Sequence, residues 1–313
     1  MSEVKFVELQ KELFYLFEKR TFEDAYSLIN KAQIEFPERL EKTIYWKACV
    51  YSIQEQQENA VAVLDEGLKQ GVWWNPHTLT RDPDLNRLQN LEEFKFIVKK
   101  CEDILESNRH SSESQLFTYG NQKSDIGIFS LHWRGSSVKD FAPYLFDDNR
   151  LNDYLFGFLQ SSQAYGYNAY CWDNQDVALE EIAKSFKGFK ENHNTKQDIL
   201  AGASQGGKLA IELSLNNNRL GTKGFIAVIP AIQDVSSIES LLKENRVTNL
   251  KGCIITGDKD PFYNKTLELM PILEAYDIQC KLIVKEGLGH FFPSDFTALL
   301  KEAVEYILQP VSR

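Results

Sequence analysis

The feature that most limits the fold of this chain is an apolar, strand-like run that passes through a Gly-x-Ser-x-Gly turn into a helix-like run. The stretch is DILAGASQGGKLAIELSL, residues 198–215, and Ser204 stands at the turn. Gly202 and Gly206 flank the serine and leave room for a strained backbone. The apolar residues that follow are those of a helix packed on a sheet. The pattern therefore predicts a nucleophilic Ser204 on a tight strand-to-helix turn.

The same letters allow a second parse. From Gly202 to Lys208 they read G-x-x-x-x-G-K, the beginning of a phosphate-binding P-loop. A P-loop needs Ser or Thr at the next position to ligate Mg²⁺, and this chain has Leu209 there. The IITGD run that ends at Asp258 is a poor substitute for a second metal-binding strand. We therefore interpret the stretch as a serine turn and not as a nucleotide site.

An acid and a base that could serve Ser204 follow it in the chain, each just beyond an apolar run. KGCIIT leads into GDKDP, and KLIV leads into KEGLGHFFP. The chain order Ser, Asp, His, with the acid and the base after later strands, is that of a nucleophile-elbow triad. We predict Asp260 as the acid and His290 as the base. Asp258 is the alternative acid.

Short β-rich runs separated by helical stretches fill the chain after residue 115. Such alternation predicts a mainly parallel sheet with helices on both faces. Sites in sheets of this kind lie at the carboxyl ends of strands. The predicted strands are LFTYG, IGIFSLHW, YLFGFLQ, DILAGAS, KGFIAVIP, KGCIITGD and KLIVKEG.

The first third of the chain has a different period. Over residues 2 to about 107, apolar residues recur every three or four positions, which predicts an all-helical region. FEDAYSLINKA from Phe22 and QENAVAVLDEG from Gln57 align at a spacing of 35 residues, with Ala25 over Ala60. This spacing resembles that of tetratricopeptide repeats.

The change of period divides the chain into two predicted domains. A helical, tetratricopeptide-like domain occupies residues 1–107, and an α/β domain occupies residues 116–313. The polar stretch NRHSSESQ, residues 108–115, is the predicted linker. Two interpretations of the helical domain stay open: a cap that only packs on its neighbour, and a surface that binds a protein or peptide partner.

Composition excludes several classes of function. A formal net charge of −10, from 35 Lys and Arg against 45 Asp and Glu, opposes unspecific binding to nucleic acid or to an anionic membrane. Residues 1–20 mix charges with apolar residues, unlike a signal peptide, and no apolar run approaches the roughly 18 residues of a membrane span. The five cysteines include no C-x-x-C pair. We expect a cytoplasmic protein with reduced, mostly buried thiols.

Six short motifs together resemble the phospholipase/carboxylesterase group of α/β-hydrolases, serine esterases that include acyl-protein thioesterases. They are LHWRG, LQSSQ, YCWD, GASQGG, GDKDP and GLGHFFP, within about residues 116–308. The resemblance implies an α/β-hydrolase fold for the second domain. It also implies that Ser204 is the nucleophile, that His290 is the general base and then acid, and that Asp260 orients the imidazolium.

The resemblance further implies an oxyanion hole made of two backbone N–H groups. Gln205 supplies one at the start of the helix after the nucleophile, and Arg134 supplies the other. The family has His-Gly-x-Gly around the second donor, and Trp133 stands in place of the first glycine. A bulky residue forbids conformations that glycine allows. This departure predicts either a different loop path or slow turnover.

Other residues near these motifs are candidates for contact with the substrate, and packing is the alternative for each aromatic one. The Arg134 side chain is either a clamp for an acidic substrate or an exposed group paired with a nearby Asp such as Asp140. The candidate pocket residues are His132, Trp133 and Trp172, with Tyr165, Tyr167 and Tyr170 as further aromatic candidates.

We therefore predict a serine hydrolase that cleaves carboxylic esters or thioesters through an acyl-enzyme, with no metal or organic cofactor. Its expected substrate is a small-molecule or acyl ester. One alternative is a weakly active or inactive hydrolase-fold platform whose helical domain recruits a protein partner. Another is a helical domain that covers the cleft and selects a peptide or acyl-carrier substrate.

Overall fold

The chain separates into two compact units, which a computed structural model describes over residues 2–108, 112–146, 153–245 and 247–310. One unit comprises Met1–Ser112 with Ala164–Ala169, and the other comprises Glu113–Gln163 with Tyr170–Arg313. The domain limits drawn from the sequence remain a prediction. Part of the predicted linker, residues 109–111, lies outside the described residues.

The first unit is built of helices, as predicted. Its two aligned segments begin helices α2 and α4, and the matched side chains Ala25 and Ala60, and Ile29 and Leu64, have no exposed surface. The repeat positions are therefore equivalent in burial, while tetratricopeptide identity stays a prediction. The helices are α1 Ser2–Glu18, α2 Phe22–Glu35, α3 Leu40–Ile53, α4 Gln57–Lys69, α5 Pro76–Arg81 and α6 Glu92–Asn108, with 3-10 turns at Pro37–Arg39 and Pro83–Leu88.

One segment that the sequence placed in the α/β domain, residues 164–169, belongs instead to the helical unit. The Tyr167 N–H donates to the Trp73 carbonyl at 3.2 Å. The Asn75 amide donates to the Tyr165 carbonyl at 2.8 Å, and the Thr78 and Tyr165 hydroxyls lie 3.0 Å apart. The sequence did not indicate this assignment, because hydrogen bonds between residues 90 positions apart leave no local signal.

The second unit contains a sheet of seven strands within the described residues, in the order β1-β3-β2-β6-β7-β8-β9. β1 runs antiparallel to β3, and the other neighbours pair in parallel. All seven predicted strands are present. The strands are β1 Gln115–Gly120, β2 Ile126–Leu131, β3 Leu155–Gln160, β6 Gln197–Ala203, β7 Gly224–Val228, β8 Lys251–Gly257 and β9 Gln279–Lys285, while β4 Ala164–Gly166 and β5 Ala169–Tyr170 form a separate pair.

Helices cover both faces of this sheet because successive strand residues point to opposite sides. In β7, Ile226 and Val228 pack with α7 and α12, whereas Phe225 and Ala227 pack with α9, α10 and α11. The predicted fold class is therefore confirmed. The helices are α7 Val138–Leu145, α8 Gln175–Asn192, α9 Gln205–Leu215, α10 Ser236–Glu244, α11 Tyr263–Ala275 and α12 Phe296–Leu308.

Candidate active site

Ser204 occupies the turn between β6 and α9, as predicted, in a backbone conformation that is unusual for a residue with a side chain. Its φ is 52° and its ψ is −113°. Such strain persists only where the surroundings hold it. Here the Ser204 N–H donates to the Val228 carbonyl at 2.9 Å, and the Ala231 N–H donates to the Ser204 carbonyl at 3.0 Å. The end of β7 thus fixes the serine on both sides.

The two glycines beside Ser204 are required by close backbone contacts. A Cβ on Gly202 would lie 2.2 Å from the Gly206 carbonyl oxygen. A Cβ on Gly206 would lie 2.3 Å from the carbonyl oxygen of Leu131 and 2.6 Å from that of His132. The first turn of α9 therefore rests directly on the end of β2, where the His132 loop begins.

The structure brings the predicted acid, base and nucleophile into one hydrogen-bonded chain. Ser204 Oγ lies 2.9 Å from His290 Nε2, and His290 Nδ1 lies 2.8 Å from Asp260 Oδ2. The carboxylate can only accept, so Nδ1 carries the proton and Nε2 is free to accept the serine proton. The Asp260 side chain has no exposed surface, and the His290 side chain is 30% exposed.

The alternative acid, Asp258, has a different role in the structure. Its Oδ1 accepts the Gly287 N–H at 2.7 Å, so it closes the turn that follows β9. Gly287 has a φ of 72°, a left-handed conformation that glycine adopts without a side-chain penalty. Asp260, by contrast, accepts the Phe262 N–H on Oδ1 and turns Oδ2 to His290.

Trp133 does not strain the loop in which it replaces the glycine of the family. Its φ lies outside the left-handed region, so the backbone needs no glycine at this position. The indole packs edge-to-face on Phe141 and Tyr144 and tilts against Phe292, with ring centroids 5.6 to 6.0 Å apart. The loop therefore follows a path that does not require glycine at this position, which was one of the two predicted alternatives.

His132 and Trp172, two of the candidate pocket residues, are buried and support this loop. His132 has no exposed surface and Trp172 is 4% exposed. His132 Nε2 accepts the Ser161 N–H at 3.3 Å, which leaves Nδ1 to donate to the Trp133 carbonyl at 2.8 Å. The Trp172 indole N–H donates to the His132 carbonyl at 2.9 Å.

The partner of the Arg134 side chain is Asp173 and not Asp140. Arg134 Nη2 lies 2.6 Å from Asp173 Oδ2. Asp140 instead forms a capping box with Ser137 at the start of α7. Asp173 was missed as a site residue, although it closes the YCWD motif.

Gln205, the predicted donor after the nucleophile, is the first residue of α9, where N–H groups have no intrahelical acceptor. Its side chain also contacts Asp173: Nε2 donates to Asp173 Oδ1 at 2.8 Å, and Oε1 accepts the Trp172 N–H at 3.0 Å. Tyr165 and Tyr167 belong to the helical unit, and Tyr170 pairs with Ser136.

Metal-binding clusters and membrane-spanning helices are both absent from the described residues. No group of three or more His, Cys, Asp or Glu side chains there is arranged to hold a metal ion. None of the helices in those ranges combines the length and apolar character needed to cross a membrane.

A family model and solved structures of known proteins resemble parts of this chain. Residues 5–109 match a family model described as the N-terminal domain of A/B hydrolase-like proteins. Two structural observations agree with this match: the second unit has a mainly parallel sheet with helices on both faces, and Ser204 lies at a turn between a strand and a helix. The chain has the α/β-hydrolase fold. The resemblance proposed from the sequence is confirmed at this level.

Solved structures similar to this chain include an uncharacterized protein from Bacillus cereus ATCC 10987. It is 25% identical, the alignment covers 97% of this chain and 98% of that one, and the TM-score is 0.54. A phospholipase/carboxylesterase from Dyadobacter fermentans DSM 18053 is 20% identical over 63% of this chain and 98% of that one, with a TM-score of 0.46. No curated protein matches this chain.

Proposed function

We propose that the protein is a serine hydrolase that cleaves carboxylic esters or thioesters, as in the phospholipase/carboxylesterase group. The observation that carries the proposal is the unbroken chain of hydrogen bonds from Ser204 through His290 to Asp260, at distances of 2.9 and 2.8 Å. A nucleophile, a base and an acid that orients the base are the parts that acyl transfer needs.

The geometry supports a definite sequence of proton transfers. His290 Nε2 takes the Ser204 proton as Oγ attacks the acyl carbonyl, and buried Asp260 stabilises the imidazolium that forms. The backbone N–H groups of Gln205 and Arg134 hold the negative oxygen of the tetrahedral intermediate. The imidazolium then protonates the leaving alcohol or thiol, and a water molecule releases the acyl group from Ser204 by the same steps.

The test is turnover of p-nitrophenyl esters of graded chain length by the full chain, with Ser204→Ala beside it. We expect hydrolysis that falls by about 10⁴- to 10⁶-fold in Ser204→Ala, because the acyl-enzyme cannot form. The chain length with the highest kcat/KM measures the acyl pocket. Equal rates for wild type and Ser204→Ala would overturn the proposal.

The acid is tested in the same assay by a matched pair of substitutions two positions apart. Asp260→Asn should lower kcat by about 10³- to 10⁴-fold, because an amide no longer fixes the His290 tautomer. Asp258→Asn keeps an acceptor oxygen for the Gly287 N–H and should stay within a few-fold of wild type. The reverse result would assign the role of the acid to Asp258.

We also propose that the protein acts in the cytoplasm. The support is chemical: all five cysteines lie in the described part of the chain and are free, and unpaired cysteines are typical of reducing compartments.

A further inference from the structure

The segment Tyr170–Asp173 runs along the loop that carries one of the proposed oxyanion donors. The Gly135 N–H donates to the Tyr170 carbonyl at 2.8 Å, and the Tyr170 N–H donates to the Ser136 carbonyl at 2.8 Å. The Trp172 indole N–H donates to the His132 carbonyl at the other end of the loop. The loop from His132 to Ser136 is therefore held on both sides of Arg134.

The same segment also holds the residue that carries the other proposed donor. The Trp172 N–H donates to Gln205 Oε1 at 3.0 Å, and Gln205 Nε2 donates to Asp173 Oδ1 at 2.8 Å. The second carboxylate oxygen, Oδ2, takes the Arg134 guanidinium at 2.6 Å. One carboxylate thus binds the side chains of the two residues whose backbone N–H groups form the proposed oxyanion hole.

The chemistry of Asp173 suits a fixed link of this kind. Burial raises the pKa of its carboxyl, but hydrogen bonds from Arg134 and Gln205 outweigh burial, and the pKa lies below its usual value. The group is therefore ionised at neutral pH. Hydrogen bonds to an ionised acceptor are shorter and stronger than neutral ones. Gly206 sets one backbone contact between α9 and the loop, and Asp173 adds a second constraint through side chains.

We propose that Asp173 is a positioning residue that sets the spacing between the Arg134 and Gln205 backbone N–H groups. It acts through those two residues and does not touch the substrate. The inference rests on the proposed function, since it concerns the oxyanion hole of that same reaction. Stabilisation by such a hole depends on donors held in place before charge develops, and a displacement of about 1 Å can cost about 10²-fold in rate.

Asp173→Asn is the test substitution, because an amide offers one acceptor oxygen and turns its NH₂ toward one of the two donors. With the best p-nitrophenyl ester, we expect kcat to fall by about 10- to 100-fold and KM to stay within about twofold, because the defect concerns the transition state. Asp173→Glu retains both acceptor oxygens and should recover part of kcat.

A second readout reports on the oxyanion directly. Ser204 Oγ bonds to the carbonyl carbon of an aryl trifluoromethyl ketone, its proton passes to His290 Nε2, and the C=O π electrons move to the carbonyl oxygen, which becomes a tetrahedral oxyanion in the hole. Its inhibition constant should weaken in Asp173→Asn by about the same factor as kcat, as expected for a mimic of the transition state. Asp125→Asn is the matched control, since it breaks another carboxylate–cation pair, with Lys196 at 2.9 Å, at the opposite end of β2 from the loop.

The outcomes separate the two proposals. Ser204-dependent turnover that is unchanged in Asp173→Asn would overturn the role of Asp173 and leave the hydrolase intact. A merely structural role would give a different result. In that case kcat would fall in Asp173→Asn together with the melting temperature, KM would change as well, and Asp173→Glu would not recover kcat. This result would also overturn the role of Asp173. Absence of Ser204-dependent turnover in the wild type would overturn both.

Discussion

His132 is a histidine that the structure keeps neutral. Its ring has no exposed surface, and burial lowers its pKa to about 4, although the Trp133 carbonyl and the charge of Asp140 act in the opposite direction. The ring accepts the Ser161 N–H on one nitrogen and donates to the Trp133 carbonyl from the other. Protonation would remove the acceptor and place a charge in the core.

The stability of the folded protein should therefore depend on pH through His132. The unfolded chain binds this proton below about pH 6.5, whereas the folded protein binds it only below about pH 4, so stability falls as pH falls between those values. We expect His132 to account for about 2 kcal/mol of the free energy of unfolding lost between pH 7.5 and pH 5. Urea denaturation of wild type and His132→Gln at both pH values measures it. An equal loss in the two proteins would refute the assignment.

The turn from β6 to α9 shows how one element positions the whole site. Because Gly202 and Gly206 bring the helix into backbone contact with β6 and β2, the serine sits at the carboxyl ends of the parallel strands. β8 and β9 end at the same edge and lead into the loops of Asp260 and His290. The three side chains meet because the strands are parallel and in register.

Gly206→Ala should destabilise the protein, because its Cβ would meet backbone oxygen 2.3 Å away and backbone cannot yield as a side chain can. We expect a loss of about 1 to 3 kcal/mol in the free energy of unfolding, with lower esterase activity. Gly188→Ala in α8 is the control, since a Cβ there meets nothing within 4 Å, and it should stabilise by about 0.5 to 1 kcal/mol. Urea denaturation compares them. Equal effects would contradict the contact argument.

On the scale of the whole molecule, the two units occur together in at least one other solved protein. The alignment with the Bacillus cereus protein covers 97% of this chain and 98% of that one. The family model matches the helical unit alone, at residues 5–109. The helical unit thus matches a domain described for A/B hydrolase-like proteins, while Ser204, His290 and Asp260 lie in the second unit.

The thiols report on the integrity of both units at once. Burial raises the pKa of Cys101 to about 11 and the pKa values of Cys171 and Cys253 to about 12. It also raises the pKa values of Cys49 and Cys280, although Cys280 is partly exposed. Because thiolates are the reactive species, we expect no rapid reaction with Ellman's reagent at pH 8 in the folded protein and five equivalents in guanidinium chloride. Rapid reaction of the folded protein with the reagent would contradict the raised pKa values. The same measurement on Cys280→Ser would show whether the partly exposed Cys280 is the thiol that reacts.

Much of the fold and of the triad could be predicted from the sequence because their signals are local. The switch from helical spacing to short β-rich runs predicted the all-helical region and all seven strands. The Gly-x-Ser-x-Gly turn and the residues after two later strands predicted Ser204, Asp260 and His290, which the structure brings together. Strand ends are marked in the sequence, and parallel pairing carries them to one edge of the sheet.

The surroundings of the triad depended on tertiary structure, because their contacts join residues far apart in the chain. Arg134 pairs with Asp173, 39 positions away, and not with nearby Asp140. His132 is a candidate pocket residue by motif, yet packing against Trp172 removes it from solvent. The sequence by itself determined that Ser204, Asp260 and His290 follow successive strands of a parallel sheet in that chain order. Only tertiary structure decided which side chains support the oxyanion loop, since long-range hydrogen bonds carry no periodic signal.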